Sequence, residues 1–286
     1  LSWLLHQEGL LAAPGRAPEA SKPINLSPKA SHFVAQARSV VVLMQSGGPS
    51  HIDLFDPKPL LNKLAGQRMP ESFKRPITAM GETESPLLAS PRTWKRHGQS
   101  GTWVSDWLPH TAGCVDDLAV IRSCWTNGIN HSGGVCQMNT GQPLAGRPSL
   151  GSWVNYGLGT ANENLPAFVV LHSTVNGGFG GQALYSRLGG AGVLSTRHQG
   201  VSLRSTGDPV LYLSNPDGIN RATRRRILDD LVRLNRMKLN EFGDPEIATR
   251  ISQYELAYRM QTSVPELLDL SDEPQHVIEM YGGDRV

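Results

Sequence analysis

The feature that most limits the fold of this chain is a series of short apolar runs, separated by segments with helical periodicity. The runs cover residues 39–45, 118–123, 165–173 and 208–216. Runs of this length without polar alternation are typical of strands buried on both faces of a parallel sheet. We therefore predict an α/β fold, a mostly parallel sheet sandwiched by helices, with its first buried strand at residues 39–45.

Capping residues and apolar spacing predict four helices, and WLPHTAGCVDD, residues 107–117, favours a further short helix before the run at residues 118–123. The first begins near Ser132 and ends at Gly141; the second has Pro148 near its first turn and ends at Gly157 or Gly159. Two longer helices follow, with apolar residues at helical spacing: Ile227, Leu228, Leu231 and Leu234 in one, and Ile247, Ile251, Tyr254 and Tyr258, after Asp244 and Pro245, in the other. The remaining long segments, residues 57–105 and 173–209, are rich in glycine and other loop-forming residues and are predicted to be surface excursions.

Charge and composition argue against several classes of protein. The net charge of +2 argues neither for nor against a nucleic-acid partner. No basic stripe with interleaved aromatic residues is present, and the one basic cluster, residues 224–226, is predicted to be a solvated helix face, so we expect no such partner. No stretch approaches the roughly 20 apolar residues of a membrane-spanning helix, so we expect no integral membrane span. Three cysteines, Cys114, Cys124 and Cys136, without a C-x-x-C pair indicate neither a disulfide framework nor a zinc knuckle.

The two ends of the sequence suggest a division into leader and domain. The segment LSWLLHQEGLLA and the Ala/Pro-rich residues after it are predicted to be an export-signal tail and linker over residues 1–36. The alternative is an amphipathic helix that packs on the domain. Because the chain stops at residue 286 without a closing element, residues 37–286 are predicted to be the N-terminal part of a domain that is truncated at the C-terminus.

The sequence NHSGG, residues 130–134, places Asn130 and His131 at the start of the first predicted helix. The first turn of a helix has unpaired N–H groups and a partial positive charge, which attract anions. Gly133 and Gly134 lack side chains and would let a substrate approach that turn closely. His131 would be a metal ligand, a general acid or base, or a nucleophile toward phosphorus. The alternative is that Asn130 only caps the helix and His131 is a half-buried polar residue.

The sequence SGGPSHID, residues 46–53, follows the first predicted strand. His51 and Asp53 are two residues apart and would point to the same side of an extended chain, as metal ligands should. Ser50 adds a hydroxyl for binding a substrate. Because ligands of parallel sheets bind at the carboxyl ends of the strands, we expect this segment to share a site with NHSGG. The alternative is a structural turn, in which Asp53 or Asp56 binds its own backbone.

Five blocks of sequence lie in order between residues 47 and 274: GGPSHIDLFDPKP, NHSGGVCQMNTG, GRPSLGSWVNYGLG, ENLPAFVVL and PELLDLSDEP. Together they resemble the DUF1501 family, a group of uncharacterised exported proteins from planctomycetes and related bacteria. Members of this family usually carry a twin-arginine-type export signal. The resemblance therefore implies an exported protein, periplasmic or extracellular.

The resemblance also implies the alkaline phosphatase-like fold, which sulfatases and phosphatases share. Hydrolases with that fold place their nucleophile at a helix N-terminus, and a Thr-Gly pair ends the helix. Here Thr140-Gly141 is that pair, and counting back places His131 at the position of the nucleophile. The sulfatase motif C-x-P-S-R is replaced by HSGGV, residues 131–135, so no formylglycine precursor is present.

Two functions are consistent with these residues. The first is an extracytoplasmic, metal-dependent hydrolase of phosphate or sulfate esters, whose substrate is a small molecule or a polysaccharide. His51 and Asp53 would bind a divalent metal (zinc, manganese, calcium or magnesium). His131 would attack or bind the transferred group, and Asn130 would position a substrate oxygen. The alternative is a non-catalytic protein of the same fold that binds sulfated or phosphorylated polysaccharide.

Overall fold

The computed structural model describes residues 26–45, 49–78, 81–82, 84–171, 188–203, 210 and 214–282. The chain divides into two compact units. We call residues 37–144 the first unit, and residues 1–36 together with 145–286 the second unit.

Short elements make up the first unit. In chain order they are α1 (Pro59–Lys63), β1 (Trp94–His97), β2 (Thr102–Ser105), α2 (Pro109–Gly113), a 3₁₀ turn (Val115–Asp117) and α3 (His131–Thr140). Strands β1 and β2 form an antiparallel hairpin in which Trp94 lies opposite Ser105. The buried core joins this hairpin to α2 and the 3₁₀ turn through Val104, Ala112 and Val115, with Phe55 and Leu108 packed against them.

The hairpin was not predicted, because residues 57–105 were assigned to a surface excursion. Its turn is closed by Gly98 and Gly101, which have φ values of 65° and 63°. The Asp116 carboxylate accepts hydrogen bonds from the backbone N–H groups of Gln99 at 2.8 Å and Ser100 at 2.9 Å. The turn is therefore tied to the 3₁₀ element that follows α2.

Two strand predictions in the first unit are wrong. Residues 39–45 form no strand, and their apolar side chains are exposed, with Val41 at 81% and Leu43 at 85%. Residues 118–123 also form no strand, and Ile121 is 71% exposed. A strand requires a neighbour that pairs with its N–H and C=O groups, and neither run has one among the described residues. Apolar composition alone is therefore not sufficient to predict a strand at these two runs.

Longer helices make up most of the second unit. Its elements are α4 (Leu150–Leu158), β3 (Val169–Leu171), a 3₁₀ turn (Thr196–His198), β4 (Val201–Leu203), α5 (Arg221–Phe242), α6 (Pro245–Leu268) and α7 (Gln275–Met280). Strands β3 and β4 are parallel, with Val169 opposite Val201. Met260 and Val264 of α6 form a buried cluster with Leu165, Val201, Val210 and Leu256.

Helices α5 and α6 are joined by a tight connection. Gly243 ends α5 with a φ of 67°, and the Asp244 side chain caps α6 by accepting from the N–H of Glu246 at 2.9 Å. Along the pair, the Arg225 guanidinium donates two hydrogen bonds to the Glu255 carboxylate, at 2.9 and 2.6 Å. This bidentate pair links two helices whose contacting residues are far apart in sequence.

All four predicted helices are confirmed. In the second, α4, the N-cap is Ser149, so Pro148 lies near the first turn as predicted, one residue before the cap. The short helix predicted before residues 118–123 is also confirmed, as α2. The strand predicted at residues 165–173 is confirmed over Val169–Leu171, whereas most of the run at 208–216 lies outside the described residues. The fold class stays a prediction, since the described part of the chain contains only two two-stranded sheets. In the same residues, no helix has the length and apolarity needed to cross a membrane.

Candidate functional site

Helix α3 begins where the sequence predicted an anion-binding helix terminus. The Asn130 side chain caps it, because its Oδ1 accepts from the N–H of Gly133 at 3.0 Å. The backbone carbonyl of the same residue accepts from the N–H of Gly134 at 3.0 Å. At the other end, Gly141 has a φ of 77° and closes the helix. Asn130 therefore caps the helix, as the alternative predicted, whereas the half-buried position that it predicted for His131 is wrong, because His131 is exposed.

His131 is the first residue of α3, and its side chain is exposed. The backbone N–H groups of His131 and Ser132 have no acceptor within the described part of the chain. The Asn130 side chain accepts from Gly133 and leaves these two N–H groups of the first turn unbonded. They lie at the positive end of the helix dipole. The turn therefore presents an imidazole and two free N–H groups to solvent.

The two glycines of the first turn have different surroundings. A Cβ on Gly133 would lie 2.9 Å from the Cα of Gly128, and a Cβ on Gly128 would lie 2.3 Å from the carbonyl carbon of Gly133. Position 133 therefore needs glycine so that the preceding loop can pack against the helix. A Cβ on Gly134 would meet no atom within 4 Å, so this glycine leaves open space beside the turn. Gly133 and Gly134 were both predicted to let a substrate approach this turn, and only Gly134 has open space at its Cβ position.

The loop before α3 is held by a side chain that the sequence analysis missed. Gln137 Oε1 accepts from the Thr126 hydroxyl at 2.6 Å and from the N–H of Asn127 at 3.3 Å. The Thr126 hydroxyl oxygen in turn accepts from the N–H of Gly128 at 2.9 Å. These bonds fix the loop that leads into the Asn130 cap. No sequence motif marks Gln137, because its partners lie on the preceding loop and not on its own helix.

The second predicted motif is a hydrogen-bonded turn. Ser50 Oγ donates to Asp53 Oδ2 at 2.7 Å and accepts from the N–H of Asp53 at 3.2 Å. The other carboxylate oxygen, Asp53 Oδ1, accepts from the hydroxyl of Ser90, a buried residue 37 positions away. Ser90 is therefore a further residue of this turn that the sequence did not reveal. The segment is therefore a turn, as the alternative predicted, but the Ser50 hydroxyl closes it, and in the described part of the chain neither Asp53 nor Asp56 accepts a hydrogen bond from its own backbone.

Hydrogen bonds and nearby cations control the charge of the carboxylates in this region. The hydroxyls of Ser90 and Ser50 hold the pKa of the Asp53 carboxyl below its ordinary value. Lys58 does the same for Asp56 by hydrogen bonding, with a smaller contribution from the more distant charge of Arg122. Both carboxylates are therefore ionised at neutral pH. The exposed His51 ring lies close enough to act electrostatically on both of them.

The predicted metal ligands do not form a complete site by themselves. Among the described residues, no group of three or more His, Cys, Asp or Glu side chains is arranged to hold a metal ion. His51 and Asp53 would supply two ligands, and both oxygens of Asp53 already accept hydrogen bonds from hydroxyls. Nor does any hydrogen bond in this part of the chain join the Ser50–Asp53 turn to the start of α3. Metal binding therefore stays a prediction.

The cysteines of this unit are free thiols. Cys136 lies on α3 and is buried, where it packs as a small apolar residue. Cys114 and Cys124 are exposed. None of them contributes a hydrogen bond to the site described above.

Comparison with known proteins gives one match. The sequence profile of the family described as "Protein of unknown function (DUF1501)" matches residues 37–286, which include every candidate site residue named above. Neither the curated proteins nor the solved structures include a significant match to this chain.

Proposed function

The chain belongs to the DUF1501 family over residues 37–286, and on that premise we propose that it is a hydrolase of phosphate or sulfate esters. The anionic group of the ester would bind at the N-terminus of α3, and His131 would act on it. The family description assigns no activity, so the proposal rests on the candidate site and on the sequence resemblance to alkaline phosphatase-like enzymes.

One observation carries the proposal. The first residue of α3 has an exposed imidazole next to two backbone N–H groups that have no acceptor among the described residues, and a Cβ on Gly134 would meet no atom within 4 Å. Backbone N–H groups at a helix terminus bind tetrahedral anions without a loss of side-chain conformational entropy. A nucleophile on the same turn would then lie close to the phosphorus or sulfur atom of the bound ester.

The chemistry available to these residues is a two-step transfer. A ring nitrogen of His131 attacks phosphorus, and the N–P bond forms as the P–O bond to the alcohol breaks. The departing alcohol oxygen takes a proton from water, and a second water then hydrolyses the phosphohistidine. Asn130 uses its Oδ1 to cap the helix, which leaves its Nδ2 amide group to donate to a substrate oxygen.

A divalent metal bound in part by His51 and Asp53 belongs to the same proposal. Such an ion would stabilise negative charge that develops on the transferred group. No step is assigned to it, because these two side chains are too few to complete a site.

A second candidate function is a non-catalytic protein that binds sulfated or phosphorylated polysaccharide at the same turn. The hydrogen bonds from Ser50 and Ser90 to Asp53 favour it, since they give this carboxylate a structural role that needs no metal. Either function is proposed to operate outside the cytoplasm, within an alkaline phosphatase-like fold. These two expectations rest on the sequence resemblance alone.

The experiment that tests the proposal is a hydrolysis assay with aryl phosphates and aryl sulfates, with and without added zinc, manganese, calcium or magnesium. We expect turnover by the wild type, a loss of at least about 100-fold in His131→Ala, and little change in His110→Ala. His110 is a matched control, because it is also an exposed histidine on a helix of the first unit. Binding of the anion without turnover in the wild type would favour the second candidate.

A further inference from the structure

A small cleft in the second unit lies between its 3₁₀ turn and the first turns of α6. Its volume is about 280 Å³, and the described residues that line it are Thr196 and Gln199 on one side and Glu246, Arg250 and Gln253 on the other. The last three lie on one face of α6, because they are spaced by four and then three positions. All five side chains are polar. We call this space the α6 cleft.

The Glu246 carboxylate holds the two sides of the α6 cleft together. Its Oε1 accepts from the hydroxyl of the buried Ser195 at 3.1 Å, and its Oε2 accepts from the hydroxyl of Thr196. The charge of Glu246 also acts on the half-buried Arg197, where it opposes the lowering of the Arg197 pKa by burial. The charge of Glu246 is therefore offset within the protein.

Arg250 is the charged group of the α6 cleft that stays unpaired. It follows Glu246 by four positions, a spacing and order that favour an ion pair along a helix. The Glu246 oxygens are instead taken up by hydroxyls, and in the described part of the chain Arg250 has neither an ion pair nor a hydrogen bond. The side-chain amides of Gln199 and Gln253 also have no partner among the described residues. The cleft thus presents a free guanidinium and two free amides.

The chemistry of these groups defines the ligand that they would bind. A guanidinium binds a carboxylate through two parallel hydrogen bonds. Primary amides both donate and accept, which matches the hydroxyl groups of a sugar. The volume of the cleft lies just below the roughly 300 Å³ at which pockets for drug-sized molecules begin, so the ligand is about the size of one sugar ring.

We propose that the α6 cleft binds a hydroxylated carboxylate of the size of a single sugar acid. Arg250 binds the carboxylate, and Gln199 and Gln253 bind hydroxyl groups on the same molecule. A phosphate ester fits less well, because Glu246 repels a dianion more strongly than a monoanion. Since the inference uses only residues of the second unit, it does not depend on the proposed ester hydrolysis.

NMR titration of the full chain with glucuronate tests this proposal. We expect saturable shifts of the side-chain amide signals of Gln199 and Gln253. Arg250→Gln should weaken binding by at least about tenfold, because it removes the charge from a charge-assisted hydrogen-bonded pair. Arg236→Gln is the matched control and should bind as the wild type does. Arg236 is also an exposed arginine on a helix of the second unit, without a partner among the described residues.

Three further ligands separate the parts of the proposal. Glucose keeps the hydroxyl groups but lacks the carboxylate, and acetate has the carboxylate alone, so each should bind at least about tenfold more weakly than glucuronate. Glucose 6-phosphate should also bind more weakly. Failure of glucuronate to bind saturably, equal affinity of the Arg250→Gln and Arg236→Gln variants, or binding of any of the three other ligands as tight as that of glucuronate would overturn the proposal.

Discussion

The two units hold their polar side chains by different means. In the first unit, the start of α3 is held by a bond that is short in sequence, from the N–H of Gly133 to the Asn130 side chain. In the second unit, two long helices bring Arg225 and Glu255 together across 30 positions. The difference teaches that the start of α3 depends on local backbone conformation, whereas the pair of α5 and α6 depends on packing between helices.

The largest effect that tests this contrast is expected from filling the space between Gly128 and Gly133 in the first unit. Gly128→Ala would place a Cβ 2.3 Å from the Gly133 carbonyl carbon, and backbone atoms have little freedom to move away. We expect a loss of about 3 kcal/mol in the free energy of unfolding, measured by urea denaturation.

Gly134→Ala is the matched control for that substitution. Its Cβ would meet no atom within 4 Å, and alanine is favoured over glycine inside a helix. We expect stability to be unchanged or to rise by up to about 1 kcal/mol. Equal losses of unfolding free energy in the two variants would show that the close approach of Gly128 to Gly133 does not determine stability.

A smaller effect is expected in the second unit, where the Arg225–Glu255 pair joins α5 to α6. Both side chains are about one-third exposed, at 30% and 32%, so solvent weakens the pair. A double-mutant cycle to alanine should give a coupling of about 1 kcal/mol. The exposed pair Arg233–Asp230, at 3.4 Å, is the control and should give less than half of that. Equal coupling energies would contradict the expectation that the partly buried pair is stronger than the exposed one.

The smallest expected effect is a change in the titration of Asp53. Ser90→Ala removes the largest cause of its lowered pKa, so the value should rise toward the ordinary 3.8. Because the folded-state pKa is lowered, Asp53 contributes stability above pH 3.8 that is lost as the pH falls through the folded value, and Ser90→Ala reduces that contribution. Carboxyl carbon NMR measures the shift. Ser85→Ala, whose hydroxyl binds Glu82, should leave the pKa of Asp53 unchanged.

What the sequence predicted well was local. The bounds of α3 follow from Asn130 and Gly141, since a cap and a left-handed glycine act within one turn of the helix they delimit. The same reasoning found Asp244 and Pro245 at the start of α6. The hairpin of β1 and β2 also had a local signal, because HGQSG lies between two runs that favour strands, but the loop-like composition around it concealed the signal.

What the sequence could not supply were contacts between distant residues. Ser90 meets Asp53 across 37 positions, and no pattern within either segment announces that bond. The apolar run at residues 39–45 was predicted to be a strand, although strand formation depends on a partner that composition does not specify. His51 and Asp53 were predicted as metal ligands from spacing alone, and their metal binding remains a prediction.

The most direct test of the account is to locate the bound anion on the full chain by NMR titration with inorganic phosphate. The account predicts that the N–H signals of His131 and Ser132 shift together, and that His131→Ala weakens binding by at least about tenfold while His110→Ala does not. Saturable binding whose shifts lie away from the first turn of α3, or equal affinity in the two variants, would contradict it.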